Sequence, residues 1–215
     1  MTALRKLGKF ITIEGQDGAG KSSNIDALVK ELARQNIPYV QTREPGGTEL
    51  GEALRAVLLD KDQPPIDDKA ELLMIFAARA QHLHEVIEPA LIRGDWVVCD
   101  RFTDATYAYQ GGGRELGQEI VADLESLVQG ELRPDLTVLL DLPSELGEQR
   151  VGQRAQPDRF EQENLAFKQR VRQVYLDRSE LHHQVIKRVD ASKPLEQVQQ
   201  QVTEIVKQFI EGVSG

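Results

Sequence analysis

The stretch Glu14-Gly15-Gln16-Asp17-Gly18-Ala19-Gly20-Lys21-Ser22 decides the architecture of this 215-residue chain. A short β-branched run, Phe10-Ile11-Thr12-Ile13, precedes it. From Lys21 to about Gln35 the apolar residues Ile25, Leu28, Val29 and Leu32 recur at helical spacing. A glycine-rich turn between strand and helix with the spacing G-x-x-x-x-G-K-[ST] is a phosphate loop. Its glycines let successive backbone N–H groups converge on phosphate oxygens, and the helix that follows adds its positive dipole end. Lys21 then neutralises the β- and γ-phosphates, and Ser22 offers a hydroxyl to Mg²⁺. The triphosphate-contacting set is therefore Gly15, Gln16, Asp17, Gly18, Ala19, Gly20, Lys21, Ser22 and Ser23.

Outward from this loop, strands and helices alternate. Tyr39 to Thr42 reads as a second strand, and a helix is expected from about Thr48 to Leu59. A long helical region from about Asp68 to Arg93 ends at Gly94, as helix C-termini often do. Trp96 to Cys99 reads as a third strand ending in Asp100, followed by a helix over Gln118 to Gln129. Leu136 to Leu140 is the fourth strand, and Ser144 reads as the N-cap of a short helix leading into an Arg-bearing segment. A helix near Gln162 to Arg178, a strand near Val185 to Val189 and a helix from about Leu195 to Ile210 follow. This order implies one α/β domain over residues 1–215: the three-layer P-loop NTPase fold, with a five-stranded parallel sheet flanked by helices. Ligands in such sheets sit at the carboxyl ends of the strands.

Composition narrows the function. The chain carries 26 Lys and Arg against 35 Asp and Glu, a net charge of -9. That is the wrong sign for a protein that binds nucleic acid through counterion release, so no nucleic-acid partner is expected. The single cysteine, Cys99, points to a reducing compartment and reads as a small apolar residue in a buried strand. With no secretory-type apolar segment near the N-terminus and no run near the ~20 residues of a membrane span, a cytoplasmic protein without a membrane partner is expected. No Asn-Lys-x-Asp tetrapeptide occurs to read guanine, and little chain remains for an effector domain. A kinase of a small acceptor fits best.

The strand ends carry the acceptor chemistry. Thr42-Arg43-Glu44-Pro45-Gly46-Gly47-Thr48 follows the second strand, and Asp100-Arg101-Phe102 the third. Arg43 and Arg101 would both point into the crevice, and planar guanidinium groups match phosphate bidentately. The acceptor is then a nucleoside monophosphate. The ordinary alternative for either arginine is a structural ion pair.

These motifs, with Phe76-Ala77-Ala78-Arg79, Ala108-Tyr109-Gln110-Gly111 and Asp158-Arg159-Phe160-Glu161, occur in an order that resembles bacterial thymidylate kinases over roughly residues 8 to 195. The resemblance implies transfer of the γ-phosphoryl of ATP to dTMP, giving dTDP on the way to dTTP, with Mg²⁺. Carried onto this sequence, it has Asp17 hold the 3′-hydroxyl of the acceptor sugar while Arg43 and Arg101 grip its phosphate. Glu44 orients the metal or its water. At the end of its apolar strand, Asp100 would either act on Mg²⁺ through water or accept from Ser22, with the capping of a strand turn as its ordinary alternative. Arg79 donates to thymine O4, Thr106 and Gln110 meet the polar edge of the base, Phe76 stacks on the ring, and Tyr109 lies under the deoxyribose. The segment around 147–161 resembles the family's lid, whose Arg150 and Arg154 would surround the transferred phosphoryl. Lys21, Arg101, Arg150, Arg154 and Asp17 form the catalytic set. The backbone of Ala191 is implied at adenine, and a homodimer through the helices near 68–93 and 118–129.

The sequence departs from the family at one point. The stacking Phe often stands four residues before the base-reading Arg, where this chain has Ile75; Phe76 lies three before. Both spacings share a helical face, and core packing is the ordinary alternative for Phe76. His82 and His84, two residues apart, do not share a face and read as surface or helix-packing residues rather than metal ligands. Two other functions compete: a related nucleotide kinase with a different base pocket, and an ATP-binding switch protein that signals to a partner.

Overall fold

A computed structural model describes residues 8–152 and 158–214. Its strands are β1 (Phe10–Glu14), β2 (Tyr39–Arg43), β3 (Trp96–Asp100), β4 (Leu136–Asp141) and β5 (Ile186–Asp190). Among the described residues they form one sheet in the order β2-β3-β1-β4-β5, every neighbouring pair parallel. All five residues of the central β1 are buried, as expected of a strand covered on both faces, whereas the edge strand β2 alternates exposed and half-buried.

The helices are α1 (Lys21–Arg34), α2 (Glu49–Leu59), α3 (Asp68–His82), α4 (Glu88–Arg93), α5 (Thr103–Thr106), α6 (Gln118–Gln129), α7 (Ser144–Val151), α8 (Leu165–Leu181) and α9 (Leu195–Ser214). On one face Ile11, Ile13, Val98, Val138 and Leu140 pack with Leu28 and Leu32 of α1 and Val198, Val202 and Val206 of α9. On the other, Phe10, Val97 and Cys99 meet Leu83, Ile87, Ala90 and Leu91. The resulting three layers leave the carboxyl ends of β1, β2 and β3 open to a cleft. Among the described residues, no helix is long and apolar enough to cross a membrane.

Two π-helical segments fall where no sequence pattern announces them. Leu83–Ile87 joins α3 to α4 within the expected long helical region, and Gly94 closes that region in the left-handed conformation. Tyr107–Gly113 continues α5, so the segment after β3 is helical where no helix is evident from the sequence. An extra residue in a turn re-aims the side chains beyond it, and π segments are common at functional sites for that reason. Ser144 differs from the expected N-cap. It is the first helical residue after Pro143, and its buried hydroxyl has no partner among the described residues. Asn164 instead caps α8, accepting from the Phe167 N–H at 2.9 Å.

Candidate active site

The phosphate loop stands at the carboxyl end of β1. Gly20, in the left-handed conformation at φ 84°, precedes α1; no side chain caps the helix and no acidic residue occupies its first turn. The leading N–H groups are thus left for an anion. Lys21 Nζ donates to the carbonyls of Gly15 and Gln16, both at 3.1 Å, holding its ammonium group against the loop. Gln16 donates to the Lys168 carbonyl of α8 at 2.6 Å. Gly18, at φ +81°, lies so close to α7 that a Cβ would stand 2.7 Å from the Gly147 carbonyl.

Beside the loop is an open cleft of about 630 Å³, solvent at its mouth included. Asp17, Arg55, Arg79, Arg101, Thr106, Tyr109 and Gln110 line it, gathering side chains from the phosphate loop, α2, α3, the end of β3, α5 and the second π segment.

A chain of polar contacts crosses its floor. Arg101 donates to Asp17 at 2.7 Å, to the Tyr109 hydroxyl at 3.0 Å and to the Tyr175 hydroxyl at 3.3 Å, with its guanidinium 4.8 Å from the Tyr109 ring centre. Tyr109 donates to the other Asp17 oxygen at 2.9 Å. Burial opposes charge on Asp17, but Arg101 and Lys21, with the Tyr109 and Arg101 hydrogen bonds, outweigh it and draw the carboxyl down to about 2. Arg101 takes the left-handed conformation at φ 67° and is anchored from beneath. Its neighbour Phe102 donates its N–H to Glu14 at 2.6 Å, and Tyr175 bonds the other Glu14 oxygen at 2.8 Å. Burial, aided by the Asp104 charge, pushes the Glu14 carboxyl up to about 8.

The far wall is built on Arg79. Glu44 accepts from Arg79 Nε at 2.7 Å and meets His82 Nδ1 at 3.0 Å, while the other ring nitrogen of His82 lies 2.6 Å from the Thr42 hydroxyl. Gly47 makes room for this arrangement: at φ +80° it leaves the space where a Cβ would stand 2.5 Å from His82 Nε2. Arg79 also donates to Thr106 Oγ1 at 2.9 Å and sits between the rings of Phe76 and Phe102, at 4.8 and 4.9 Å. Its remaining terminal nitrogen, Nη1, is buried without a partner among the described residues.

The structure brings together most of the sequence-derived set and moves several members. Phe76 is a correction: it packs with Leu72, Tyr107 and Val121 and supports Arg79, while Ile75 takes the place on the cleft wall. Arg43 does not line the cleft but pairs with Glu52 of α2 at 2.7 Å, with 52% of its side chain exposed. Arg55, one turn further along α2, lines the cleft instead and donates to the Pro45 carbonyl at 2.9 Å. Glu44 is committed to Arg79 and His82. His82 is fully buried in this network, whereas His84 is exposed. Arg150 donates to the Gly18 and Ala191 carbonyls at 3.2 and 3.1 Å, bridging the phosphate loop to the end of β5. Arg154 lies outside the described residues.

Asp100 Oδ1 is buried at the end of β3 without a partner among the described residues, and its carboxylate acts on the Lys21 ammonium. An unpaired carboxylate oxygen at this strand end suits a hard cation such as Mg²⁺, and Ser22 stands exposed at the end of the loop. Sequence reasoning missed Glu14, Arg55, His82 and Tyr175. Only Glu14, adjoining the phosphate loop, carried a local signal.

A family model described as thymidylate kinase matches residues 13–202. The chain is 52% identical over 208 residues to a thymidylate kinase of Ectopseudomonas mendocina, covering 97% of this chain and 99% of the relative. It is 53% identical over 206 residues to one of Pseudomonas putida, covering 96% and 100%. Against one of Alcanivorax borkumensis it is 52% identical over 202 residues, covering 94% and 97%.

Proposed function

This chain belongs to the thymidylate kinase family, and we propose from that premise how its own residues transfer the γ-phosphoryl of ATP to dTMP, giving ADP and the dTDP needed for dTTP. The observation that carries the reading is the cleft itself, where a phosphate loop, two cleft-facing arginines and a buried arginine with a free donor share one space.

The triphosphate lies along residues 15–23, against the open N–H groups of α1 and the Lys21 ammonium. Arg101 and Arg55 receive the acceptor phosphate, with Arg43 at the rim. Asp17, held ionised, accepts from the 3′-hydroxyl of the sugar, a role suited to a carboxylate that only accepts. Tyr109 lies beneath the deoxyribose, and Arg79, Thr106 and Gln110 meet the base with Ile75 against its face. Asp100 and Ser22 would hold Mg²⁺, which when bound neutralises charge between the β- and γ-phosphates. Glu44 positions Arg79. Arg150 steadies the loop from the adenosine side, and Arg154, in the segment around 147–161, supplies charge to the transferred phosphoryl. Catalysis then rests on positioning and charge neutralisation without a covalent intermediate.

The chain acts as a single cytoplasmic kinase domain and as a homodimer. Exposed Leu73 on α3 and Leu127 on α6 support the dimer, and the lone buried thiol of Cys99 supports a reducing compartment. Light scattering tests the dimer: twice the monomer mass is expected, shifting toward one with Leu127→Glu.

An ADP-release assay with ATP, Mg²⁺ and a panel of nucleoside monophosphates, each beside an acceptor-free blank, tests the function. Strong turnover with dTMP and little with dCMP or the ribose analogue of dTMP is expected. Turnover with another monophosphate would discard the base assignments, and rates equal to the blank would return the chain to the switch-protein alternative.

A further inference from the structure

Behind the base-facing wall lies Glu71, the fourth residue of α3, fully buried. Its Oε1 accepts from Gln110 Nε2 at 2.7 Å and from Arg114 Nε at 3.2 Å. Its Oε2 accepts from Arg114 Nη2 at 3.1 Å and from Arg159 Nη2 at 2.5 Å. Two guanidinium groups thus compensate one buried carboxylate, and both are themselves stacked, Arg114 on Phe160 and Phe167 and Arg159 on Phe160. This is an expensive arrangement to bury merely to join α3 to the segment that begins at Asp158. Its consequence at the cleft is chemical.

A carboxylate accepts and does not donate, so only the NH₂ end of the Gln110 amide can face it. Gln110 lines the cleft, and its Oε1 makes no hydrogen bond among the described residues. The amide therefore turns its oxygen toward the cleft. Arg79, on the same wall, has its Nε on Glu44 and one terminal nitrogen on Thr106, leaving Nη1 buried and unpartnered. One donor and one acceptor result. They complement a base edge with a carbonyl oxygen beside a ring N–H, as thymine has at O4 and N3, and they oppose cytosine, which carries an amino group beside a bare ring nitrogen.

We propose that Glu71 is a specificity-positioning residue: by accepting from the Gln110 NH₂ it fixes the amide oxygen toward the acceptor base, so that an imide edge is admitted and a cytosine edge refused. Without this restraint the amide turns over at little cost and offers its NH₂ to cytosine N3. The inference rests on the reading of Arg79 and Gln110 as the base wall, and goes beyond it by naming what sets the polarity of that wall. A site built around hydrogen-bonded polar groups discriminates strongly because a mismatched base leaves them buried and unpaired.

The test compares dTMP with 5-methyl-dCMP, which keeps the methyl group, sugar and phosphate and differs only along this edge. In Glu71→Gln, whose amide can face Gln110 in either sense, the kcat/KM ratio of dTMP over 5-methyl-dCMP is expected to fall about tenfold or more, chiefly through KM. In a Gln110→Ala background the same substitution is expected to leave the ratio within about twofold, because Glu71 acts through that amide. An unchanged ratio, or an equal fall in both backgrounds, overturns the proposal. A wild-type enzyme with no preference between the two monophosphates instead overturns the base-wall reading, so the two failures are separable. A measurement on the ¹⁵N-labelled wild type needs no folded Glu71 variant. With dTMP bound, the Gln110 side-chain NH₂ is expected to stay protected from exchange and to show no contact with the thymine ring. An NH₂ in contact with the ring overturns the proposal.

Discussion

Arg101 donates to Asp17 across 2.7 Å, so the residue that follows β3 closes directly onto the phosphate loop that follows β1. The two were expected at different groups of the acceptor, Arg101 at its phosphate and Asp17 at the 3′-hydroxyl of its sugar. Their direct pairing, completed by Tyr109 bonding both, makes them a preorganised unit. Ordering these side chains before the acceptor arrives lowers the entropy lost on binding.

Asp17→Asn keeps the shape of that unit and removes its charge. A hydrogen bond to a charged group contributes on the order of 1.5–3 kcal/mol, equivalent to roughly 10- to 100-fold. The expected result is a fall of that size in kcat/KM for dTMP, with ATP affinity within about threefold of wild type. Steady-state kinetics beside calorimetric ATP titration would check both halves.

Glu14 gives a pH prediction with a definite sign. Its carboxyl is raised by burial from 4.5 to about 8, so between these values the folded protein holds a proton that the unfolded chain has released. Its stabilising contribution is complete below the unfolded value and is lost as pH rises through about 8. Relative to Glu14→Gln, the unfolding free energy of the wild type should therefore decline from about pH 5 to about pH 8. Urea titrations across that range measure it, and a flat difference would contradict the assignment.

Glu44→Gln removes one partner of a nearly inaccessible ion pair with Arg79. Losing one member of a buried pair costs about 3–5 kcal/mol. For a chain of this size the melting temperature should drop by roughly 10 °C, read by scanning calorimetry. The KM for dTMP should rise alongside, since Arg79 loses the carboxylate that aims it, while the KM for ATP should hold.

The two lid arginines should separate kinetically. Arg150 bonds the Gly18 and Ala191 carbonyls, so Arg150→Ala is expected to raise the KM for ATP more than it lowers kcat. Arg154→Ala is expected to do the reverse. Single-turnover measurements at saturating ATP distinguish the cases, and an unchanged kcat in Arg154→Ala would remove that residue from the catalytic set.

What proved legible in the sequence was local. The phosphate loop, the alternation that makes the parallel sheet and the cap at Gly94 each depend on residues within one or two turns of one another, so periodicity and spacing expose them. Phe76 and Ile75 show the limit of that reading. Spacing puts either one on the face of Arg79, and only the packing of α3 against Tyr107 and Val121 sends Phe76 inward and leaves Ile75 at the cleft. Arg43 is similar: it stands at a strand end, as the topology rule asks, but Glu52 of α2 captures its guanidinium and Arg55 takes the cleft.

The sequence by itself carried the phosphate loop between the first strand and first helix, and with it the reading of a triphosphate site there and an acceptor at the neighbouring strand ends. Those properties reside in backbone conformation and side-chain period, which neighbouring residues dictate. Tertiary structure alone decided which groups are bonded beneath and behind the cleft walls: Tyr175 on Glu14 from 161 residues away, Gln110 on Glu71 from 39, and His82 on Glu44 from 38. No local pattern encodes such partners. They meet only because parallel crossovers return distant segments to the same end of the sheet, where burial makes an unpaired polar group costly and so selects the partner.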